Sequence, residues 1–172
     1  MSDSKSATPD TTVDEADLRR VLGRFATGVT VVTARDADGR PCAITVNAFT
    51  SVSLDPPLIL YCLGKFAFNF DVFADAEAFA VNILSADQQA LSDRFARRAK
   101  DDLGDLALRR LATGSPVLAE CLAALDCETE ARHDAGDHLI IVGRVRALDP
   151  PRGAEPLVYF GSRYRRLKEP GP

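Results

Sequence analysis

The chain has 172 residues, 46% of them hydrophobic and 27% charged, which suffices for one sizeable core and matches the balance of an ordinary soluble domain. Its formal charge of -4 excludes a nucleic-acid binder resting on a broad basic surface, because phosphate neutralisation needs one. Cys42, Cys62, Cys121 and Cys127 show no Cys-x-x-Cys spacing, and no apolar run approaches the ~20 residues that cross a bilayer. A reducing cytoplasmic location follows as an expectation, with no membrane and no nucleic acid as partner.

Residues 1–12 are polar, without the basic start and apolar run of a secretory signal, and are expected to form a disordered leader ahead of one domain over 13–168 and a flexible tail over 169–172. Thr12-Val13-Asp14-Glu15 has capping-box spacing, and Leu18, Val21, Leu22 and Phe25 recur on one helical face, which predicts a helix over 13–27. Gly28 ends it. The β-branched run 29–33 predicts a buried strand, and Asp36-Ala37-Asp38-Gly39 a hairpin turn. Residues 42–52 predict a second strand that bends near Asn47, stopped by Asp55-Pro56-Pro57, and 58–63 form a continuous apolar strand. Phe66, Phe70 and Phe73 at helical spacing predict a short covering helix.

A further strand is expected over 79–84, followed by a helix capped by Ser85-Ala86-Asp87-Gln88 with Leu91 and Phe95 on its inner face. Residues 97–114 are charged and helix-prone, suggesting a lid or surface helix; Arg94, Arg97, Arg98 and Lys100 read as a solvated helix face rather than a phosphate-steering patch. Residues 117–133 and 138–148 alternate apolar with polar around Asp134-Ala135-Gly136-Asp137, the pattern of a long antiparallel hairpin, and 157–160 close the set. Six or seven strands joined by hairpins, with short helices at the margins, point to a mainly β fold, a closed or nearly closed antiparallel barrel.

Several reaction classes drop out. Neither Gly-x-Gly-x-x-Gly after a strand nor Gly-x-x-x-x-Gly-Lys-Ser/Thr occurs, so no Rossmann site and no P-loop is available. His133 and His138 flank two aspartates and a glycine that a hairpin turn explains without an ion, so no metal site is assigned. A nucleophilic pairing of His138 with Cys62 or Cys127 lacks the glycine-flanked turn that would expose the sulfur. The run Thr45-Val46-Asn47-Ala48-Phe49-Thr50-Ser51-Val52-Ser53 sets hydroxyls and an amide along a segment otherwise patterned as core. Periodicity alone favours a strand with its polar side outward. The other reading is a flavin site, an apolar slot with a few placed polar groups, where Lys65 and Asn69 serve the phosphate.

Phe25-Ala26-Thr27-Gly28-Val29-Thr30-Val31-Val32-Thr33, then Thr45 through Leu58 as the run ending Ser53-Leu54-Asp55-Pro56-Pro57-Leu58, then Phe79-Ala80-Val81-Asn82-Ile83-Leu84-Ser85 and Gly136-Asp137-His138, taken in that order over 18–167, resemble the short-chain flavin reductases that serve flavin-dependent monooxygenases. The resemblance implies an FMN-binding split β-barrel, a homodimer with flavin sites near the subunit interface, and hydride transfer from a nicotinamide to FMN or FAD. NADH is expected as donor, since no arginine pair stands out to clamp a 2′-phosphate. By the same resemblance Thr45, Val46, Asn47 and Ala48 contact the flavin ring, Ser51 and Ser53 run toward its ribityl and phosphate, and Cys62, Leu63, Lys65, Asn69 and Phe95 complete the cofactor set. His138 matches the catalytic histidine beside the nicotinamide, with Tyr164, in the tail after the last strand, helping to cover it; a histidine satisfied in the core is the alternative. The stretch after Phe95 lacks the family's aromatic residues. A partner monooxygenase would receive the reduced flavin by diffusion. The competing readings are a flavin- or haem-binding split-barrel carrier without turnover and an oxidase resembling pyridoxamine-phosphate oxidase.

Overall fold

Asp14 accepts a hydrogen bond from the Asp17 N–H and starts a short helix, α1 (Glu15–Leu22), in a computed structural model that describes residues 13–96 and 103–167. The expected leader and the basic residues Arg97, Arg98 and Lys100 lie outside the described residues. Twelve strands follow among the described residues: β1 (Thr27–Gly28), β2 (Thr30–Arg35), β3 (Pro41–Val46), β4 (Phe49–Leu54), β5 (Pro57–Gly64), β6 (Ala78–Ile83), β7 (Leu108–Arg110), β8 (Pro116–Leu118), β9 (Ala123–Ala135), β10 (His138–Asp149), β11 (Val158–Phe160) and β12 (Arg163–Arg165). Helix α2 (Phe70–Asp75) lies between β5 and β6, and α3 (Gln89–Ala96) follows β6.

Seven strands form one antiparallel sheet in the order β3-β2-β6-β9-β10-β5-β4. Its two edge strands, β3 and β4, are neighbours in the chain with only Asn47 and Ala48 between them. The sheet therefore curls until its edges meet at that junction, where the Cys62 N–H donates to the Ala48 carbonyl at 2.9 Å. No ladder joins β3 to β4. A first core cluster, including Val31, Ala80, Phe95, Leu103 and Val117, lies on one side; a second, including Val32, Tyr61, Phe73, Phe79 and Ile141, fills the curl. Gly143 sits where the Phe79 ring crosses β10: a Cβ there would lie 2.4 Å from Phe79 Cζ, so only glycine leaves room.

The buried runs of β2 and β6 and the long hairpin were all legible, with differences in detail. Phe66 lies before α2 and is 78% exposed. The described part of the expected lid, 103–114, is not helical; it carries β7, which pairs with β8. The long hairpin consequently starts at Ala123 rather than near 117, because 116–118 turns back onto β7. Tyr164 belongs to a strand, β12, in the small sheet β1-β11-β12 rather than to an extended tail.

Candidate functional site

Two groups of polar side chains gather at one end of the curled sheet. The first begins at the end of β3. Thr45 Oγ1 donates to the Ser92 carbonyl at 2.7 Å, tying the strand to α3. Ser92 Oγ lies 2.9 Å from Tyr164 Oη, and the Tyr164 hydroxyl donates to Asp93 Oδ1 at 3.0 Å. Burial raises the Tyr164 phenol above its ordinary pKa, opposed by the Ser92 hydroxyl and reinforced by the Asp93 carboxylate, so the hydroxyl keeps its hydrogen. Tyr159 meets Tyr164 edge to face, with ring centroids 5.5 Å apart. Val29, Thr45, Asn47, Ser92, Ala96, Tyr159 and Tyr164 line an open cleft of about 270 Å³.

The second group lies at the end of β5. His138 pairs across the ladder with Gly64, and a Cβ built on Gly64 would lie 3.6 Å from the imidazole Nε2. His138 Nδ1 is 2.7 Å from Asp137 Oδ1. The hydrogen bond to His138 holds the Asp137 carboxyl below the usual carboxylate range. A carboxylate only accepts, so Nδ1 carries a hydrogen and the Nε2 of a neutral ring is left as an acceptor. Lys65 Nζ donates to the Gly136 carbonyl at 2.7 Å and pairs with Asp134, while the Lys65 N–H donates to the Asp137 carbonyl at 2.9 Å. The β9–β10 turn is thus fastened to the chain leaving β5.

The ladder relates the two groups. Phe49 pairs with Tyr61, so the Asn47 and Ala48 junction flanks the last residues of β5 on one side while His138 flanks them on the other. Adjacent strands lie about 4.8 Å apart, so the backbones of Asn47 and His138 stand about two strand spacings from one another across the end of β5. Of the residues expected from sequence, Asn47, Ala48 and Ser51 are exposed, and Thr45, Ser53, Cys62 and Lys65 are half-buried. Val46 and Leu63 are buried, leaving their backbones to make any contact. Phe95 is packed in the core, with the Arg94 guanidinium 5.3 Å from its ring centre. Asn69 precedes α2 without a side-chain capping bond and is half-buried. His138 is half-buried at the hairpin mouth, its side chain 45% exposed and bonded to the exposed Asp137 rather than to a core group.

A larger cleft of about 550 Å³ lies at the opposite end of the β2–β3 hairpin, lined by Arg35, Asp36, Asp38, Asp71, Asp75 and Glu77 among others. Its acidic wall is unsuited to a phosphorylated ligand. Among the described residues no three histidines, cysteines or acids are grouped to hold a metal.

Residues 22–168 match the family model of the flavin reductase like domain. The chain belongs to that family. It is 48% identical over 153 residues to FMN reductase (NADH) SmoA of Agrobacterium fabrum, covering 87% of this chain and 84% of that protein. It is 37% identical over 156 residues to the flavin-dependent monooxygenase reductase subunit HsaB of Rhodococcus jostii, covering 91% and 80%. The solved Streptomyces globisporus NADH:FAD oxidoreductase SgcE6, in complex with NAD and FAD fragments, superposes with a TM-score of 0.83 at 36% identity, covering 90% of this chain and 93% of that one. The chain spans 44% of the length of another relative, from Rhizobium meliloti, to which it is 46% identical over 136 residues. Within the flavin reductase-like fold, sequence reasoning missed Ser92, Asp93 and Tyr159. They carry no motif of their own, and only the folded chain joins positions 45, 92 and 164.

Proposed function

We propose that this flavin reductase-like chain uses NADH to reduce FMN or FAD and releases the reduced flavin, which diffuses to a separate flavin-dependent monooxygenase. The observation that carries the reading is the convergence of Thr45 and Asn47, at the meeting of two sheet edges, with His138 and Lys65 across the end of β5. The donor set fits a flavin: edge strands β3 and β4 offer main-chain groups without ladder partners, Asn47 offers an exposed amide, and Ser51, Ser53 and Lys65 offer hydroxyls and a cation for a phosphate. A bound flavin would supply the two-electron acceptor. Thr45 and Asn47 hold its ring, and His138 orients the nicotinamide through Nε2, which is positioning and needs no proton transfer. That the relatives SmoA, HsaB and SgcE6 are an FMN reductase (NADH), a monooxygenase reductase subunit and an NADH:FAD oxidoreductase supports donor, acceptor and partner class alike.

The curled sheet with unjoined edges supports a split barrel. An exposed apolar face on α1, carrying Val21 and Leu22, supports a homodimer, as does the outward face of β5 and β10 where Leu60 opposes Val142 and Cys62 opposes Ile140. No helix among the described residues is long and apolar enough to cross a membrane, and a cytoplasmic location remains part of the proposal. NADH oxidation measured with FMN, with FAD and without flavin tests the function. Oxidation that requires flavin is expected; no oxidation with either flavin overturns it.

A further inference from the structure

The hydrogens in the Thr45–Ser92–Tyr164–Asp93 chain have only one self-consistent arrangement. The Asp93 carboxylate accepts, so it takes the Tyr164 hydroxyl hydrogen. Ser92 must then donate its own hydrogen into the Tyr164 oxygen. The Thr45 hydroxyl hydrogen is committed to the Ser92 carbonyl. Ser92 is fully buried, so its hydroxyl serves Tyr164 rather than a ligand. What the cleft receives from Thr45 and Tyr164 is therefore two oxygens that can only accept, on a wall shared with the Tyr159 ring and the apolar side chains of Val29 and Ala96.

We propose that this wall is the specificity element of the site, recognising an amide N–H on a planar heterocycle, with Asp93 as the positioning residue that keeps the Tyr164 oxygen an acceptor. The inference rests on the flavin reductase reading above and deepens it. Two molecules of that reaction carry the required chemistry: the ring imide N–H of a flavin and the primary carboxamide of a nicotinamide. A hydroxyl with a free hydrogen could adapt to a carbonyl or to an N–H. The locked pair cannot, and a ligand that presents a carbonyl or a methyl group in place of the N–H meets two acceptor oxygens with no hydrogen to place between them.

The test is equilibrium binding by the full chain, which needs no turnover, using two matched pairs of probes. FMN is compared with FMN methylated at the ring imide nitrogen, and NAD with its 3-acetylpyridine analogue, whose carboxamide NH2 is replaced by a methyl group. Within one pair, the parent ligand is expected to bind about tenfold more tightly than the blocked one. Which pair shows the preference identifies the source of the N–H. Tyr164→Phe, which removes the acceptor, should bring that ratio close to one. Asp93→Ala, which frees the phenol hydrogen, should lower it, and Asp93→Asn, which retains a side-chain acceptor, should restore most of it. A merely structural role for Asp93 would weaken parent and blocked ligands alike and leave the ratio unchanged. Ratios near one for both pairs in the unaltered chain, or a ratio that survives Tyr164→Phe, overturn the inference while leaving the flavin reductase reading intact. No binding of FMN, NAD or either analogue overturns that reading and this inference together.

Discussion

Replacing His138 by alanine separates a positioning role from a structural one. The His138 side chain is 45% exposed and its partner Asp137 is 73% exposed, so the pair is solvent-screened and the fold does not depend on it. The melting temperature of His138→Ala should stay within about 2 °C of the parent. The kinetic effect should be larger. One hydrogen bond to the nicotinamide is worth about 0.5–1.5 kcal/mol net. Hydride transfer also needs donor and acceptor carbon and nitrogen about 3–3.5 Å apart, so a loosened dinucleotide loses alignment as well. Together these give a ten- to hundredfold fall in kcat/KM for NADH, about 1.4–2.7 kcal/mol, with flavin affinity nearly unchanged. Initial rates of NADH oxidation at saturating flavin measure it, with circular dichroism confirming the fold. Equal kcat/KM in the parent and a fully folded His138→Ala variant would remove His138 from the site.

Gly143→Ala forces a Cβ to within 2.4 Å of a Phe79 ring that is itself held edge to face against Tyr61 at 5.1 Å, so it should cost about 2 kcal/mol and lower the melting temperature by roughly 4–8 °C. Phe79→Leu should relieve part of that penalty; an undiminished one in the double variant contradicts the steric account. Burial pushes the Cys121 thiol up to about 11 and the Cys127 thiol up to about 12, so neither should react with a thiol reagent at pH 8 until the chain unfolds. Because these thiols titrate near 9 when unfolded, their deprotonation favours the unfolded chain, and stability should fall as pH rises above about 9. Light scattering should give twice the chain mass of 18.6 kDa, and Val21→Asp on the exposed face of α1 should shift it toward the monomer; a monomer with full activity contradicts the dimer.

The parts of this fold that local chemistry dictates were readable from the chain. Val31, Val32, Ala80 and Val81 are fully buried in strands hemmed in on both sides, so their apolar runs carried the signal directly. Asp36 and Gly39 announced their turn because the turn needs an acceptor side chain and a left-handed residue, with φ of 78° at Gly39. The α1 period was legible over 18–22, but the helix ends at Leu22 rather than at the expected 27 and leaves Phe25 outside it and exposed, because a helical period says only that one face is apolar, not what covers it. Arg163-Tyr164-Arg165 showed no strand signal, since a three-residue strand with two charged flanks has too little pattern to detect. The acceptor chain from Thr45 to Asp93 was invisible for a deeper reason: its members are ordinary residues 47 and 72 positions apart whose meaning arises from the directions of their hydrogen bonds.

The most direct test of the central claim is an anaerobic titration in which FMN or FAD stands in large excess over protein and NADH is added stepwise. A reductase that releases its product bleaches the whole flavin pool, one equivalent of NADH per flavin, with the protein turning over many times. Bleaching that stops at one flavin per site, or flavin that binds without being reduced at all, would contradict the account and point to a carrier.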